Sequence, residues 1–186
     1  MPSYSYLFAH APHWSGKQNF RLGQLSPRLQ SWINEPNSLT QRLRTSFGNH
    51  VRVSILFQGW QKPFVDEARA LKIPASLHTL VREVLLHIDE TPLVLARSII
   101  PQATIAVAQR NLSHLGNRPL GEVIFSYPNL QRLKTEMTQL DAEIWTPACR
   151  ERFHLDAETW GRRTIYAIPT QAMLVSEFFL APLFCD

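Results

Sequence analysis

Cysteine is scarce in this chain: Cys149 and Cys185 are the only two. They make no disulfide framework, which excludes a small secreted scaffold and points to a reducing cytosol. Nothing around Cys149 marks it as a nucleophile, and a partly buried thiol is the expectation. No apolar run approaches the ~20 residues that span a bilayer. The longest, around Phe178–Phe184, is broken by Pro182. The opening MPSYSYLFAHAPHW lacks the basic start and apolar core of a secretory signal, so a cytoplasmic protein is expected. Low-complexity segments and internal repeats are also missing. The 19 Lys and Arg residues do not cluster. No basic face interleaved with aromatics is apparent, so a nucleic-acid partner is not expected.

What is present suits a globular protein. The 186 residues are 45% hydrophobic and 18% charged, enough for one domain with a sizeable core. The net charge of +4 would favour small anionic metabolites. Residues 1–24 read as an irregular, aromatic extension. His10 and His13 bracket Ala11-Pro12, but with no Cys or acidic cluster nearby they read as a solvated or packed pair, not as metal ligands.

Ser26-Pro27 has the form of a helix start, cap followed by first-turn proline, and Pro36-Asn37 closes that helix. Ser38-x-x-Gln41 starts a second helix toward Phe47, with Leu39 and Leu43 as its apolar stripe and Gly48-Asn49 as its stop. Val51, Val53, Ile55 and Phe57 alternate with Arg52, Ser54, Leu56 and Gln58, which predicts a strand with one buried face. A helical turn is predicted near Glu67–Leu71. Ile105–Leu115 reads as a helix closed by Gly116, and Glu122–Phe125 as a short helical or extended piece. Leu133–Leu140 suits either a strand or a helix. Glu143–Phe153 reads as helical, with Pro147 in its first turn or at a kink.

Two hairpins stand out. Leu80–Pro101 reads as two strands reversing at Asp89-Glu90-Thr91-Pro92. Strand alternation puts Arg82 in a row with Leu80, Val84, Leu86 and Ile88. It puts Arg97 with Leu93, Leu95 and Ile99, where a structural ion pair is expected. The second hairpin pairs Trp160–Ile168 with Ala172–Leu180 across Pro169-Thr170-Gln171. Glu177 there shares a face with Met173, Val175 and Phe179. A guanidinium and a carboxylate thus each sit in an aliphatic row, and each needs a partner. One account is a buried Arg82–Glu177 salt bridge. The other places a small polar ligand between them, its carboxylate on Arg82 and its hydroxyl on Glu177.

Five segments then fall in a meaningful order: Val81-Arg82-Glu83-Val84-Leu85-Leu86, Ala96-Arg97-Ser98-Ile99-Ile100-Pro101, Pro119-Leu120-Gly121, Trp160-Gly161-Arg162-Arg163, and Ser176-Glu177-Phe178-Phe179-Leu180 with Pro182. In this order and spacing the chain resembles the chorismate pyruvate-lyases from about Leu25 to Leu183. The resemblance implies a single α+β domain, an antiparallel sheet flanked by helices that form flaps over a buried ligand pocket. It implies cleavage of chorismate to 4-hydroxybenzoate and pyruvate on the way to ubiquinone, with no metal or organic cofactor. It implies Arg82 and Glu177 as the catalytic, ligand-contacting pair, and Leu39 and Leu120 as apolar contacts on the flaps. Slow release of the tightly held product, and a monomer, are further expectations.

The chain also departs from the family pattern. Phe125–Trp160 looks longer than in compact members, Ala96 stands where relatives can have Gly, and Leu39 where some carry Met. Residues 1–24 have no evident counterpart. A second reading is a non-catalytic sensor of the related regulator ligand-binding fold. Such a domain normally follows a winged helix, and about 25 residues before the first helix are too few for one.

Overall fold

The computed structural model describes residues 4–21, 23, 25–108, 112 and 115–184. Six antiparallel strands form one sheet: β1 (Arg52–Gln61), β2 (Thr79–Ile88), β3 (Thr91–Ile100), β4 (Gln131–Leu140), β5 (Thr159–Ile168) and β6 (Gln171–Phe179). Their spatial order is β1-β2-β3-β6-β5-β4. The two hairpins foreseen from sequence lie side by side at the centre, joined where β3 pairs with β6. These strands are covered on both faces, hence their nearly continuous aliphatic runs. The architecture is the expected α+β arrangement, and Leu133–Leu140 belongs to a strand.

One face carries α1 (Pro27–Ile33) and α2 (Leu39–Phe47), capped by Ser26 and Ser38 as the sequence suggests. Leu29, Trp32, Ile33, Leu39 and Leu43 pack there against Val53, Val84, Leu86 and Phe179. The rest of that face lies under α4 (Gln102–Val107) and α5 (Leu120–Ile124), through Ile105, Val123 and Ile124. Glu122–Phe125 is therefore helical up to Ile124. The helix predicted over Ile105–Leu115 begins earlier, at Gln102, and ends at Val107; residues 109–111 and 113–114 lie outside the described residues.

The opposite face carries α3 (Val65–Leu71), α6 (Pro147–Phe153) and the N-terminal segment. Pro147 occupies the first turn of α6, behind the Thr146 cap. The N-terminal segment is a working part of the core, not a loose extension. Phe8 stacks on Trp145 with ring centroids 5.1 Å apart, and Ser15 bridges to Met137. Ser5 Oγ and the Tyr6 and Leu7 N–H groups donate to the Glu83 carboxylate. Glu83 also accepts from Arg97 at 2.7 Å, and Arg97 reaches Glu67 at 2.7 Å. Arg97 is thus the structural ion pair the sequence suggested, on the face away from Arg82. Burial acts to lower its pKa, but Glu67 and Glu83 outweigh that, and the net shift is upward.

Three strand details differ from simple alternation. The central reversal is tighter than Asp89–Pro92: the loop is Asp89-Glu90 alone, with Asp89 at φ 46°, a left-handed conformation that Asp tolerates. A register shift at Leu86/His87 removes Leu93 from the Arg97 row and turns it into the cluster under α1 and α2. A second shift, between Ile55 and Phe57, ends the predicted buried face of β1, and Ile55 is exposed. At Gly161 an added Cβ would lie 2.6 Å from the Phe178 ring, so only glycine lets β5 and β6 pair over that side chain.

Candidate functional site

Between the helices and the sheet lies a narrow cavity of about 50 Å³. Its floor is Ala96 and Ser98 on β3, small residues flanked by bulkier strands. In register, Val84 and Glu177 stand either side of Ala96, and Arg82 and Val175 either side of Ser98. The sheet thus leaves a hollow above its centre, with Arg82 at one corner and Glu177 at the opposite one. Two strand spacings and two residues of offset put their Cα atoms about 12 Å apart. Leu39 and Thr40 from the start of α2, and Pro119 to Gly121 at the start of α5, make the roof. All four residues expected at the site, Arg82, Glu177, Leu39 and Leu120, line this one cavity.

The two roof elements touch. A Cβ on Gly121 would lie 3.1 Å from Ser38 Oγ and 3.2 Å from Thr40 Oγ1, so a larger residue would wedge them apart. Arg44 on α2 forms an ion pair with Glu122 on α5 just outside this contact.

Arg82 is 1% exposed. Its guanidinium donates to Gln58 Oε1 at 2.5 Å and to the Arg118 carbonyl at 3.2 Å. Among the described residues it meets no carboxylate within 4 Å, and burial lowers its pKa. A buried cation held only by neutral oxygens is an incomplete electrostatic arrangement, and an anion in the cavity would complete it. Gln58 was missed from sequence. Strict alternation from Val53 sends it to the other face, but the extra residue at the β1 bulge returns it to the Arg82 side, opposite Arg82 in register.

Glu177 is not alone either. Its Oε2 accepts from Arg162 Nε at 2.6 Å, and Arg162 Nη1 donates to the carbonyls of Ile33 at 3.1 Å and Glu35 at 2.6 Å. The direct Arg82–Glu177 salt bridge is therefore not formed: each charge has its own second residue, and both face the hollow. Burial acts to lower the pKa of Arg162, the Glu177 charge and hydrogen bond outweigh it, and the net shift is upward. Tyr166 completes the wall beside Glu177. Its pKa is raised, first by burial and then by the Glu177 charge.

Other candidates fall away from the cavity. Cys149 is buried on the opposite face, where desolvation pushes its thiol up to about 12. A thiol so disfavoured as thiolate is no nucleophile near neutrality. His10 and His13 are exposed. Among the described residues no helix is long and apolar enough to cross a membrane.

Fold and site define a class: α+β domains with a small cavity between an antiparallel sheet and a roof of short helices. Solved structures share the fold. The C-terminal domain of the histidine utilization repressor from Pseudomonas syringae superposes with a TM-score of 0.57 at 10% identity, over 73% of this chain and 95% of that one. A GntR-family transcriptional regulator from Bacillus cereus gives 0.57 at 12% identity, over 74% and 96%. Sequence comparison goes further. The chorismate lyase family model matches residues 13–186. Probable chorismate pyruvate-lyases are similar at 43% identity in Methylococcus capsulatus, over 82% of this chain and 94% of the relative. Similarity is 37% in Chromohalobacter salexigens, over 94% and 92%, and 34% in Hydrogenovibrio crunogenus, over 96% and 96%. The chain belongs to the chorismate lyase family and is an enzyme of the carbon–oxygen lyase class. The match begins at residue 13, earlier than the Leu25 read from the sequence, in keeping with the packed N-terminal segment.

Proposed function

We propose that the protein converts chorismate to 4-hydroxybenzoate and pyruvate, with Arg82 and Glu177 as the residues that hold the reacting ring. The observation that carries this reading is the pair of charges facing one apolar hollow, the cation without a carboxylate of its own. Chorismate has a ring carboxylate and, across the ring, a hydroxyl. Arg82 takes the carboxylate and Glu177 accepts the hydroxyl hydrogen bond. The enolpyruvyl ether is on the carbon next to the hydroxyl. Its ring C–O bond breaks, the hydrogen on the hydroxyl-bearing carbon leaves, and the ring becomes aromatic. The released enol gains a proton at its methylene carbon to give pyruvate. Aromatisation drives the reaction, so the protein's task is to fix the conformer and exclude water. Leu39 and Leu120 on the roof serve that exclusion.

The product keeps both groups that Arg82 and Glu177 grip. With α2 and α5 in contact above it, 4-hydroxybenzoate leaves slowly and inhibits turnover. The product feeds ubiquinone synthesis, and the enzyme works in the cytoplasm as a monomer without a metal or organic cofactor. Mixing the protein with chorismate and following aromatic absorbance together with pyruvate tests the reading. The expected trace is a burst followed by slower steady turnover. Binding of chorismate without pyruvate release would leave a sensor, not a lyase; linear turnover with weak product binding would remove the product inhibition.

A further inference from the structure

Chorismate carries a second carboxylate, on the enolpyruvyl arm, that 4-hydroxybenzoate lacks. If the ring lies as proposed above, this arm starts beside the hydroxyl, at the Glu177 end of the cavity and away from Arg82. A carboxylate brought close to Glu177 needs its own cation. Among the described residues, two arginines hold side chains that wall that end, Arg162 on Glu177 and Arg132 on Tyr166. Arg162 is 2% exposed and already committed to Glu177 and to the carbonyls of Ile33 and Glu35.

The other is Arg132. On β4 it pairs in register with Tyr166, so both side chains rise on the cavity face of the sheet. Its Nη2 donates to Tyr166 Oη at 3.1 Å, and its guanidinium lies 5.6 Å from the Tyr166 ring centroid. Nη1 points at the Glu35 carbonyl, 3.5 Å away, the same carbonyl that holds Arg162. The Glu35 carboxylate is taken by Arg42 at 3.1 Å. Among the described residues no carboxylate lies within 4 Å of Arg132. It is an exposed guanidinium held against Tyr166, a side chain that walls the cavity, with no carboxylate partner among the described residues.

We propose that Arg132 receives the carboxylate of the enolpyruvyl arm and so distinguishes substrate from product. This rests on the chorismate reading. It assigns the two carboxylates of one ligand to two arginines, Arg82 for the ring and Arg132 for the arm. An exposed site limits the strength of the contact, but one charge-assisted hydrogen bond still corresponds to about tenfold in affinity.

The test compares Arg132→Gln and Arg132→Lys with the wild type, measuring kcat and KM for chorismate and the inhibition constant of 4-hydroxybenzoate. In Arg132→Gln the KM for chorismate rises about tenfold while product inhibition stays within about twofold of wild type. Arg132→Lys, which keeps the charge, recovers part of the KM. Retained product binding also reports that the variant is folded. An unchanged KM in Arg132→Gln overturns the inference, and so does a loss of product affinity equal to the loss for chorismate. A wild-type protein that does not turn over chorismate fails the parent reading instead, a different result from an active wild type with an indifferent Arg132.

Discussion

Arg162 Nε lies 2.6 Å from Glu177 Oε2, so the carboxylate that lines the cavity is already one half of an ion pair. That pair fixes where Glu177 points. It also predicts coupled stability. Arg162→Met leaves Glu177 with no buried partner and costs about 3–5 kcal/mol. Adding Glu177→Gln to the same chain removes the orphaned charge and recovers part of the loss. Urea unfolding of both single variants and the double variant measures the coupling; strictly additive losses would mean the two residues do not support each other. In kinetics, Glu177→Gln lowers turnover by about ten- to hundredfold while the protein stays folded, and turnover at the full rate would mean the charge is not needed.

The Arg82 corner predicts the opposite behaviour of a counter-charge. Arg82→Gln weakens chorismate and 4-hydroxybenzoate together, by about ten- to hundredfold, since both carry the ring carboxylate. Gln58→Glu is the sharper probe. It places a carboxylate 2.5 Å from a guanidinium whose partners among the described residues are neutral, and so competes with the ligand. Product affinity should fall about tenfold or more with no loss of folding stability. Titration calorimetry with 4-hydroxybenzoate decides it: product affinity unchanged in Gln58→Glu would mean Arg82 does not bind the ligand.

Much of this was legible in the sequence, for reasons visible in particular residues. Caps at Ser26 and Ser38, the proline of α6 and the two central hairpins are local signals, and each formed, though both reversals are tighter than read and α6 starts only at Pro147. Arg82 and Glu177 stood out because a charge in an aliphatic row is rare. Gln58 and Leu93 were misplaced because bulges leave no mark in an alternating pattern: one inserted residue exchanges the faces beyond it. Arg162 and Arg132 were not recognised as partners of the cavity residues Glu177 and Tyr166. Their meaning depends on which strand lies beside which, and β5 meets β6 and β4 only in the folded sheet. The N-terminal segment looked irregular because it has no periodicity of its own. Its N–H groups are satisfied by Glu83, a partner some 76 residues away in sequence.

The ion pair between Arg44 and Glu122 joins the two roof helices from the outside, with both side chains about one-third exposed. Pairs this exposed contribute no more than about 1 kcal/mol, about fivefold in an opening equilibrium. Arg44→Gln or Glu122→Gln should therefore speed product release and raise the inhibition constant of 4-hydroxybenzoate by about two- to fivefold, leaving chemistry in a single turnover unchanged. Added salt should act on the wild type in the same direction and on the variants hardly at all. If the variants match wild type in both release rate and salt response, the pair does not hold the roof.

The face away from the cavity predicts how the protein responds to acid. Glu136 accepts from Arg163 at 2.8 Å and from Lys134 at 2.8 Å. Burial acts to raise its pKa from 4.5, but these two hydrogen bonds and the Arg163 charge outweigh that, and the native value lies below 4.5. A carboxylate whose native pKa is depressed adds stability that is complete above its unfolded pKa. That stability fades as pH falls through the native value, because the native state must then release its ion pairs to bind the proton. Wild type should be more stable than Glu136→Gln near neutral pH, and the gap should hold down to about pH 5 and then close as the pH falls below 4.5 through the depressed native value. Urea midpoints across that range supply the measurement. A gap that persists unchanged at the acid end would mean that Glu136 stabilises the sheet by its shape and not by its charge.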